Sequence, residues 1–302
     1  MLPVLEQKVQ RTLRAKYGKD AIAWLIMLPS LILFAFYVWI PLMESIQLSL
    51  YETKGIRTIS FVGLDNFKAI FENPDFWPAV RNTFSYTLWS LLIGFLVPIV
   101  LAVLIQEMVH GKSLFRVAVY LPNIVPGLAT VFLWKFIFNS GDNGALNMLL
   151  KAAGLPNGVW LSSATLAIPM IVVTLTWKGA GTTTLIYLAG LQSINPELYE
   201  AAIIDGANVR QRIWHITVPQ IYNLGRTLLI LQVIAVFQIL YEPLVMTNGG
   251  PNNASVSLMQ LVFRYAFEQY QYSKAASVSV MISLILITLT LIYNKINKPK
   301  DM

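Results

Sequence analysis

The 302-residue chain contains no cysteine, only two histidines and few charges: 12% of its residues are Asp, Glu, Lys or Arg, against about 25% in an ordinary soluble domain. The lack of cysteine excludes disulfides, thiolate catalysis and iron–sulfur clusters, and His110 and His215 have no second ligand four residues away that would make a metal site. No metal is expected. There is no G-x-x-x-x-G-K-[ST] segment, so the chain has no Walker A loop with which to hold ATP, and Gly179-Ala180-Gly181 falls short of G-x-G-x-x-G and follows no strand. Nor is there an H-E-x-x-H, a Ser/His set or a pair of aspartates at membrane depth, which an intramembrane enzyme would need. No internal repeat of the kind that marks a duplicated transporter is evident.

Apolar residues make up 56% of the chain, and the mean hydropathy is +0.61. A bilayer-spanning helix needs about 20 mostly apolar residues. Stretches poor in ionisable groups cover 21–43, 82–106, 117–134, 152–177 continuing past Lys178 to 196, 227–241 and 275–294. They predict an all-α integral membrane protein with six spans in one domain, residues 21–294. Gly154, Pro156, Asn157 and Gly158 read as a loop that leaves one long, bent helix in the fourth stretch. The fifth is short, and its extension through Glu242 into Pro243–Met246 places an ionisable group at or near membrane depth. The basic segment 1–20 precedes the first span without a small-residue cleavage site, so that span is expected to be retained.

Basic residues set the orientation. The side holding the N-terminus has Lys8, Arg11, Arg14, Lys16, Lys19, Lys112, Arg116, Arg210, Arg212, Arg226, Lys295, Lys298 and Lys300; the other has Lys54, Arg57, Lys68, Arg81, Lys135, Lys151, Arg264 and Lys274. The excess predicts that both termini, the tail 295–302 and the loop 191–225 are cytoplasmic. The same bias accounts for the net charge of +7 without nucleic acid. On the other side, the aromatic and turn-rich 61–78 stretch suits the headgroup region, as an anchor or also as a landing site for a second protein.

Two polar clusters lie within the apolar stretches. Trp177-Lys178-Gly179-Ala180-Gly181-Thr182 reads as a helix break of the kind that exposes backbone groups to a transport cavity. Ala235, Gln238, Ile239 and Glu242 share a helical face with Tyr241 beside it, and two of those groups are too polar to face lipid. Trp177, Lys178, Gln238, Tyr241 and Glu242 are candidate solute contacts, since they offer aromatic faces for stacking and polar groups for hydrogen bonds. A mutual or inter-subunit ion pair accounts equally well for Lys178 and Glu242.

On the cytoplasmic side, Glu200-Ala201-Ala202-Ile203-Ile204-Asp205-Gly206 is followed by Ile216-Thr217-Val218-Pro219. This predicts two short helices joined at Gly206, with Pro219 starting the next element. The pair is either a plain hairpin between spans or a small-residue protrusion that docks in a cleft of a soluble partner.

The pattern E-A-A-x3-G-x9-I-x-L-P resembles that of the transmembrane subunits of bacterial ATP-binding-cassette importers, with Val218 in place of Leu. Phe61-Val62-Gly63-Leu64-Asp65-Asn66-Phe67, Leu121-Pro122-Asn123-Ile124-Val125-Pro126, Leu191-Gln192-Ser193-Ile194 and Thr247-Asn248-Gly249-Gly250-Pro251 are similar to the carbohydrate-uptake branch, and specifically to the first permease of maltose- and glycerol-3-phosphate-type systems. The resemblance covers the chain from about residue 20 and lacks the maltose permease's extra N-terminal spans and periplasmic insertion.

The resemblance implies a type I importer permease fold in the bacterial cytoplasmic membrane. It assigns ATPase coupling to Glu200, Ala201, Ala202, Asp205 and Gly206, and docking of an extracytoplasmic sugar-binding protein to Asn248, Gly249, Gly250 and Pro251. The other implied partners are a second, homologous permease and two copies of an ABC ATPase that carry MgATP, this chain binding no cofactor and catalysing nothing. Alignment on the two shared motifs puts the maltose permease's sugar-contacting positions at Leu175, Gly179, Thr182, Ala235, Val236 and Ile239. Asparagines and an aromatic of that permease are replaced here, so the resemblance carries the location of the path and not the identity of the sugar. A channel or ion-coupled carrier working alone would leave the 200–219 motif unexplained.

Overall fold

A computed structural model describes residues 21–296 except Ile22 and Ile56. The predicted basic segment 1–20 and the end of the tail lie outside the described residues. Helices α1 (Ala23–Ser49), α3 (Phe76–Glu107), α9 (Val209–Phe237) and α11 (Tyr272–Ile296) are each long and apolar enough to cross a bilayer. A β-hairpin, β1 (Tyr51–Lys54) with β2 (Arg57–Phe61), and the short α2 (Asp65–Phe71) connect α1 to α3. The hairpin is antiparallel with a bulge between Glu52 and Thr53, a small departure from the all-α expectation. The end of the molecule that carries it is the one that the charge bias predicts to be outer.

The third predicted span is not one rod. It consists of α4 (Lys112–Ile124) and α5 (Gly127–Ile137), bent by 96° at the break between them. Pro126 has no N–H to continue the ladder, and the residue before a proline is pushed out of the helical region; Val125 is accordingly extended, with φ −62° and ψ 133°. Helix α6 (Ala145–Ala152) and the expected loop follow. The loop is held by the buried Asn147, whose Nδ2 donates to the Gly158 and Gly141 carbonyls at 3.1 and 3.2 Å while its Oδ1 accepts from Gly158 N and Trp160 Nε1 at 2.9 and 2.7 Å.

Helix α7 (Ala167–Gln192) is continuous, so the break predicted at Trp177–Thr182 is absent. Isolated glycines and threonines cost a helix little when tertiary packing holds it, and α7 is the central helix, packed against α3, α4, α5 and α9. That position also explains its composition. A helix wrapped by others needs no lipid-compatible surface, and α7 falls outside the count of helices apolar enough to span although its 26 residues reach about 39 Å.

Helix α8 (Pro196–Ile204) ends at Gly206, whose φ of +79° suits the predicted turn. Pro219 sits in the first turn of the α-helical stretch Val218–Phe237, as expected, but no break separates that stretch from Val209: a π-turn at Ile213–Thr217 joins the two into the single rod α9. At its other end α9 stops at Phe237 and does not extend through Glu242; Gln238–Leu240 are non-helical and Pro243–Thr247 form a separate π-turn. The last outer element is α10 (Leu258–Phe263).

Three buried clusters stack along the axis. The outer one joins Ile70, Phe76, Phe237, Leu258, Tyr265 and Val278; the middle one Tyr86, Val131, Ile171, Val236 and Met246; the inner one Ala102, Ile105, Tyr187, Leu191 and Ile221. Helix α1 takes almost no part: none of its most apolar window is buried, and it touches the rest mainly where its outer half lies along α11.

Candidate functional site

A cavity of about 330 Å³ opens at mid-depth between α3, α7, α9 and the segment after α9. The π-turn Ser90–Gly94 in α3 supplies one wall. Leu175, Thr176, Gly179, Ala180 and Thr183 supply the second, as successive turns of one face of α7. Gln232, Ala235 and Val236 come from α9, and the five residues from Gln238 to Glu242 close the outer side. The lining is mainly apolar with a few amides, hydroxyls and one carboxylate, a combination that suits a polyhydroxylated solute.

Of the residues proposed for the solute path, Leu175, Gly179, Ala235, Val236, Gln238, Ile239, Tyr241 and Glu242 therefore meet in one place, even though the last four are not on the helix that was expected to align them. Trp177, Lys178 and Thr182 lie on other sides of α7. Trp177 packs edge-on against Trp134, with ring centroids 5.7 Å apart, Thr182 is exposed, and Lys178 points to the end of α4. Lys178 and Glu242 form no ion pair; the ion pairs among the described residues are Lys151–Asp142 and Arg212–Glu107.

Sequence reasoning missed the α3 wall. Ser90 accepts a hydrogen bond from Gln232 across the cavity, and a Cβ on Gly94 would come within 2.8 Å of Gln232 Nε2 and 3.3 Å of Thr176 Oγ1. Both residues sit in an apolar run with no local signal beyond the small size of Gly94.

At the inner end, Asn195 caps α8 by accepting from Glu197 N at 3.1 Å, and Asn208 with Gln211 forms a reciprocal capping box at the start of α9. Glu200, Ala201 and Asp205 are exposed and Ala202 is half-buried. A recess of about 450 Å³ beneath α8 is lined by Gln106 and Glu107 of α3, Leu191 of α7, Tyr199 and Glu200 of α8, and Arg212 of α9. Two contacts bind this corner: Arg212 Nη2 to Glu107 Oε2 at 3.1 Å, with both side chains mostly shielded, and Tyr199 OH with Thr217 Oγ1 at 3.0 Å. Neither partner in the ion pair stands out in the sequence, because they are 105 residues apart.

At the outer end the Thr247–Asn253 turn is stapled down. Ser255 Oγ donates to the Gly250 carbonyl, Arg264 Nη2 to the Asn248 carbonyl at 2.8 Å, and Asn82 Nδ2 to the Asn253 carbonyl at 2.7 Å. Asn248 and Gly249 have positive φ, which asparagine and glycine tolerate best. Asn248 and Asn252 are exposed, Gly250 and Pro251 half-buried, and Gly249 buried. Burial in the outer cluster pushes the Tyr265 phenol above its ordinary pKa, with the nearby Asp75 carboxylate adding to the rise and the hydrogen bond from Asn73 opposing it.

Residues 94–298 match the family described as the binding-protein-dependent transport system inner membrane component. Among curated relatives, the trehalose/maltose transport system permease protein MalF of Thermococcus litoralis is 32% identical, over 84% of this chain and 86% of its own. The probable ABC transporter permease protein YurN of Bacillus subtilis is 31% identical over 82% and 85%. A solved structure of a bacterial ABC transporter that imports the acidic polysaccharide alginate superposes with a TM-score of 0.83 at 25% identity, covering 96% of this chain and all of that one. On the family match, these relatives and the type I importer permease fold, the chain belongs to the binding-protein-dependent inner-membrane components of ABC transporters, as a non-catalytic permease subunit for carbohydrate uptake.

Proposed function

We propose that this permease forms half of an oligosaccharide path and couples it to a separate ATPase through Glu200-Ala201-Ala202. The observation that carries the reading is the continuity of α9. One helix runs from Val209, beside the α8 hairpin, to the cavity-lining Gln232–Val236, a distance of about 30 Å between Arg212 and Gln232. A displacement of α8 by a nucleotide-driven partner thus reaches the solute cavity along a rigid rod.

The implied assembly has a homologous second permease, two ABC ATPases holding MgATP and an extracytoplasmic binding protein that lands on the Asn248–Pro251 rim. α7 and the bent α4–α5 pair, added to the four apolar helices, make six spans with both termini in the cytoplasm, consistent with the basic-residue bias. Closure of the ATPases turns the cavity outward to receive the sugar, and their separation returns it inward, with no covalent chemistry on this chain. A solute longer than one sugar unit is supported by relatives named for arabinooligosaccharide and alginate transport.

The test is affinity purification of the tagged chain from its host, as wild type and as Glu200→Ala. Wild type is expected to bring a second permease and an ATPase, and the variant to lose the ATPase selectively; a chain that purifies alone and transports in liposomes without ATP would overturn the reading. For the path itself, Gln238→Ala is expected to raise the KM for sugar by up to about ten-fold, the worth of one hydrogen bond, while ATPase recovery is unchanged. Unaltered KM would remove Gln238 from the solute contacts.

A further inference from the structure

Lys178, in the middle of α7, neither faces the cavity nor pairs with a carboxylate. Its Nζ donates to three main-chain carbonyls, those of Pro122 at 3.2 Å, Asn123 at 2.9 Å, and Val125. All belong to the last turn of α4 and the break that follows. The end of a helix leaves carbonyls without intrahelical donors and carries the negative pole of the helix dipole. Here the next residue is Pro126, which has no N–H to offer the Pro122 carbonyl, so that oxygen accepts a tight-turn bond from Val125 N at 3.3 Å beside the one from Lys178. At membrane depth such oxygens lack water and must find donors within the protein. An ammonium has three donors and no acceptor, which matches the three carbonyls one for one.

The surrounding contacts make this a joint. One turn further along α7, Gly181 lets the two helices touch through their backbones: a Cβ there would lie 2.8 Å from Tyr120 Cα and closer still to the Val119 carbonyl oxygen. Beyond the break, α5 is braced twice. Trp134 packs against Trp177, the residue next to Lys178, and Lys135 Nζ donates to the Val245 carbonyl at 2.9 Å. Val245 lies in the turn between the cavity residue Glu242 and the Asn248–Pro251 rim.

We propose that Lys178 is a positioning residue that caps the broken end of α4, sets the angle at which α5 leaves it and so holds the outer rim of the cavity through Lys135, without touching the solute. The effect on uptake rests on the transport reading above; the state of the joint does not, and it can be measured without solute.

The experiment is amide hydrogen exchange by mass spectrometry on the purified complex in lipid nanodiscs, with no sugar present. Lys178→Met is expected to speed exchange around the break, between Leu121 and Thr130, by roughly ten-fold or more while leaving α10 unchanged. Lys178→Arg, which keeps charge and donors, should retain most of the protection. Because the chain has no cysteine, Lys178→Cys followed by 2-bromoethylamine restores one ammonium at this position alone. The parent complex, treated alike, controls for partner thiols. If Lys178→Met fails to assemble, this pair decides, since exchange and uptake are read before and after alkylation. Alkylation should restore both slow exchange and uptake. Unchanged exchange with a raised KM would place Lys178 on the solute and overturn the proposal, as would faster exchange or lost uptake that alkylation does not reverse.

Discussion

Gly179→Trp is expected to reduce sugar uptake to the level of empty vesicles while the complex assembles and melts as wild type, whereas Gly181→Val is expected to damage the fold itself. The two glycines are two residues apart and look alike in the sequence, but they face opposite environments. A Cβ on Gly179 would meet nothing within 4 Å, because the residue opens onto the cavity. A side chain added there fills solute space, costs no packing and relieves the helix of a glycine, so α7 is not weakened. At Gly181 a Cβ would fall on the backbone of Val119 and Tyr120, which cannot rotate away as the tip of a side chain can. Separating α7 from α4 to make room costs about 1–3 kcal/mol and also withdraws Lys178 from the carbonyls of Pro122 and Asn123. The measurements are uptake in proteoliposomes and thermal unfolding of the same preparations. Uptake retained by Gly179→Trp would move the path away from α7, and a wild-type Tm for Gly181→Val would show that the α4–α7 contact yields easily.

This contrast shows where the sequence was readable. Composition, apolar stretches and basic bias reveal a helical membrane protein because each reflects the bilayer acting on a whole segment. The turn at Gly206, the loop at Gly154–Gly158 and the polarity of Gln238 and Glu242 were legible for the same local reason. What failed was placement that depends on distant residues. The run Trp177–Thr182 reads as a helix break, yet α7 is continuous and the break lies at Val125–Pro126, the segment that Lys178 caps. The polar run belongs to one side of a joint whose other side is about 55 residues earlier. Helical spacing grouped Ala235, Gln238, Ile239 and Glu242 correctly although the helix ends at Phe237, since the chain continues along the same wall after the helix stops. The α3 wall gave no signal, because Ser90 and Gly94 are inconspicuous until Gln232 reaches across to Ser90.

Glu107→Ala and Arg212→Ala are each expected to uncouple transport from ATP turnover, and the exchange Glu107→Arg with Arg212→Glu is expected to restore part of the coupling. Glu107 is the last residue of α3, and Arg212 closes the first turn of α9 just before the π-turn at Ile213–Thr217. Their ion pair, 3.1 Å long and with side chains 17% and 26% exposed, ties the α8 hairpin end of α9 to a second helix that also reaches the cavity. From Glu107 to Gly94 along α3 is about 20 Å, so a push on α8 is delivered to both walls at once. Removing one partner leaves the other charge half-buried and unpaired, a cost of about 1–3 kcal/mol, below the 3–5 expected for a fully buried pair because water still screens this one. The readout is the ratio of sugar transported to ATP hydrolysed, with Glu107→Gln as the milder variant that keeps a hydrogen-bond acceptor for Arg212. Packing alone at this corner, between Leu191, Tyr199 and Ile203, would make the exchanged pair no better than either single variant. Recovery in the exchanged pair is the result that requires charge, since it replaces both side chains and preserves only their attraction.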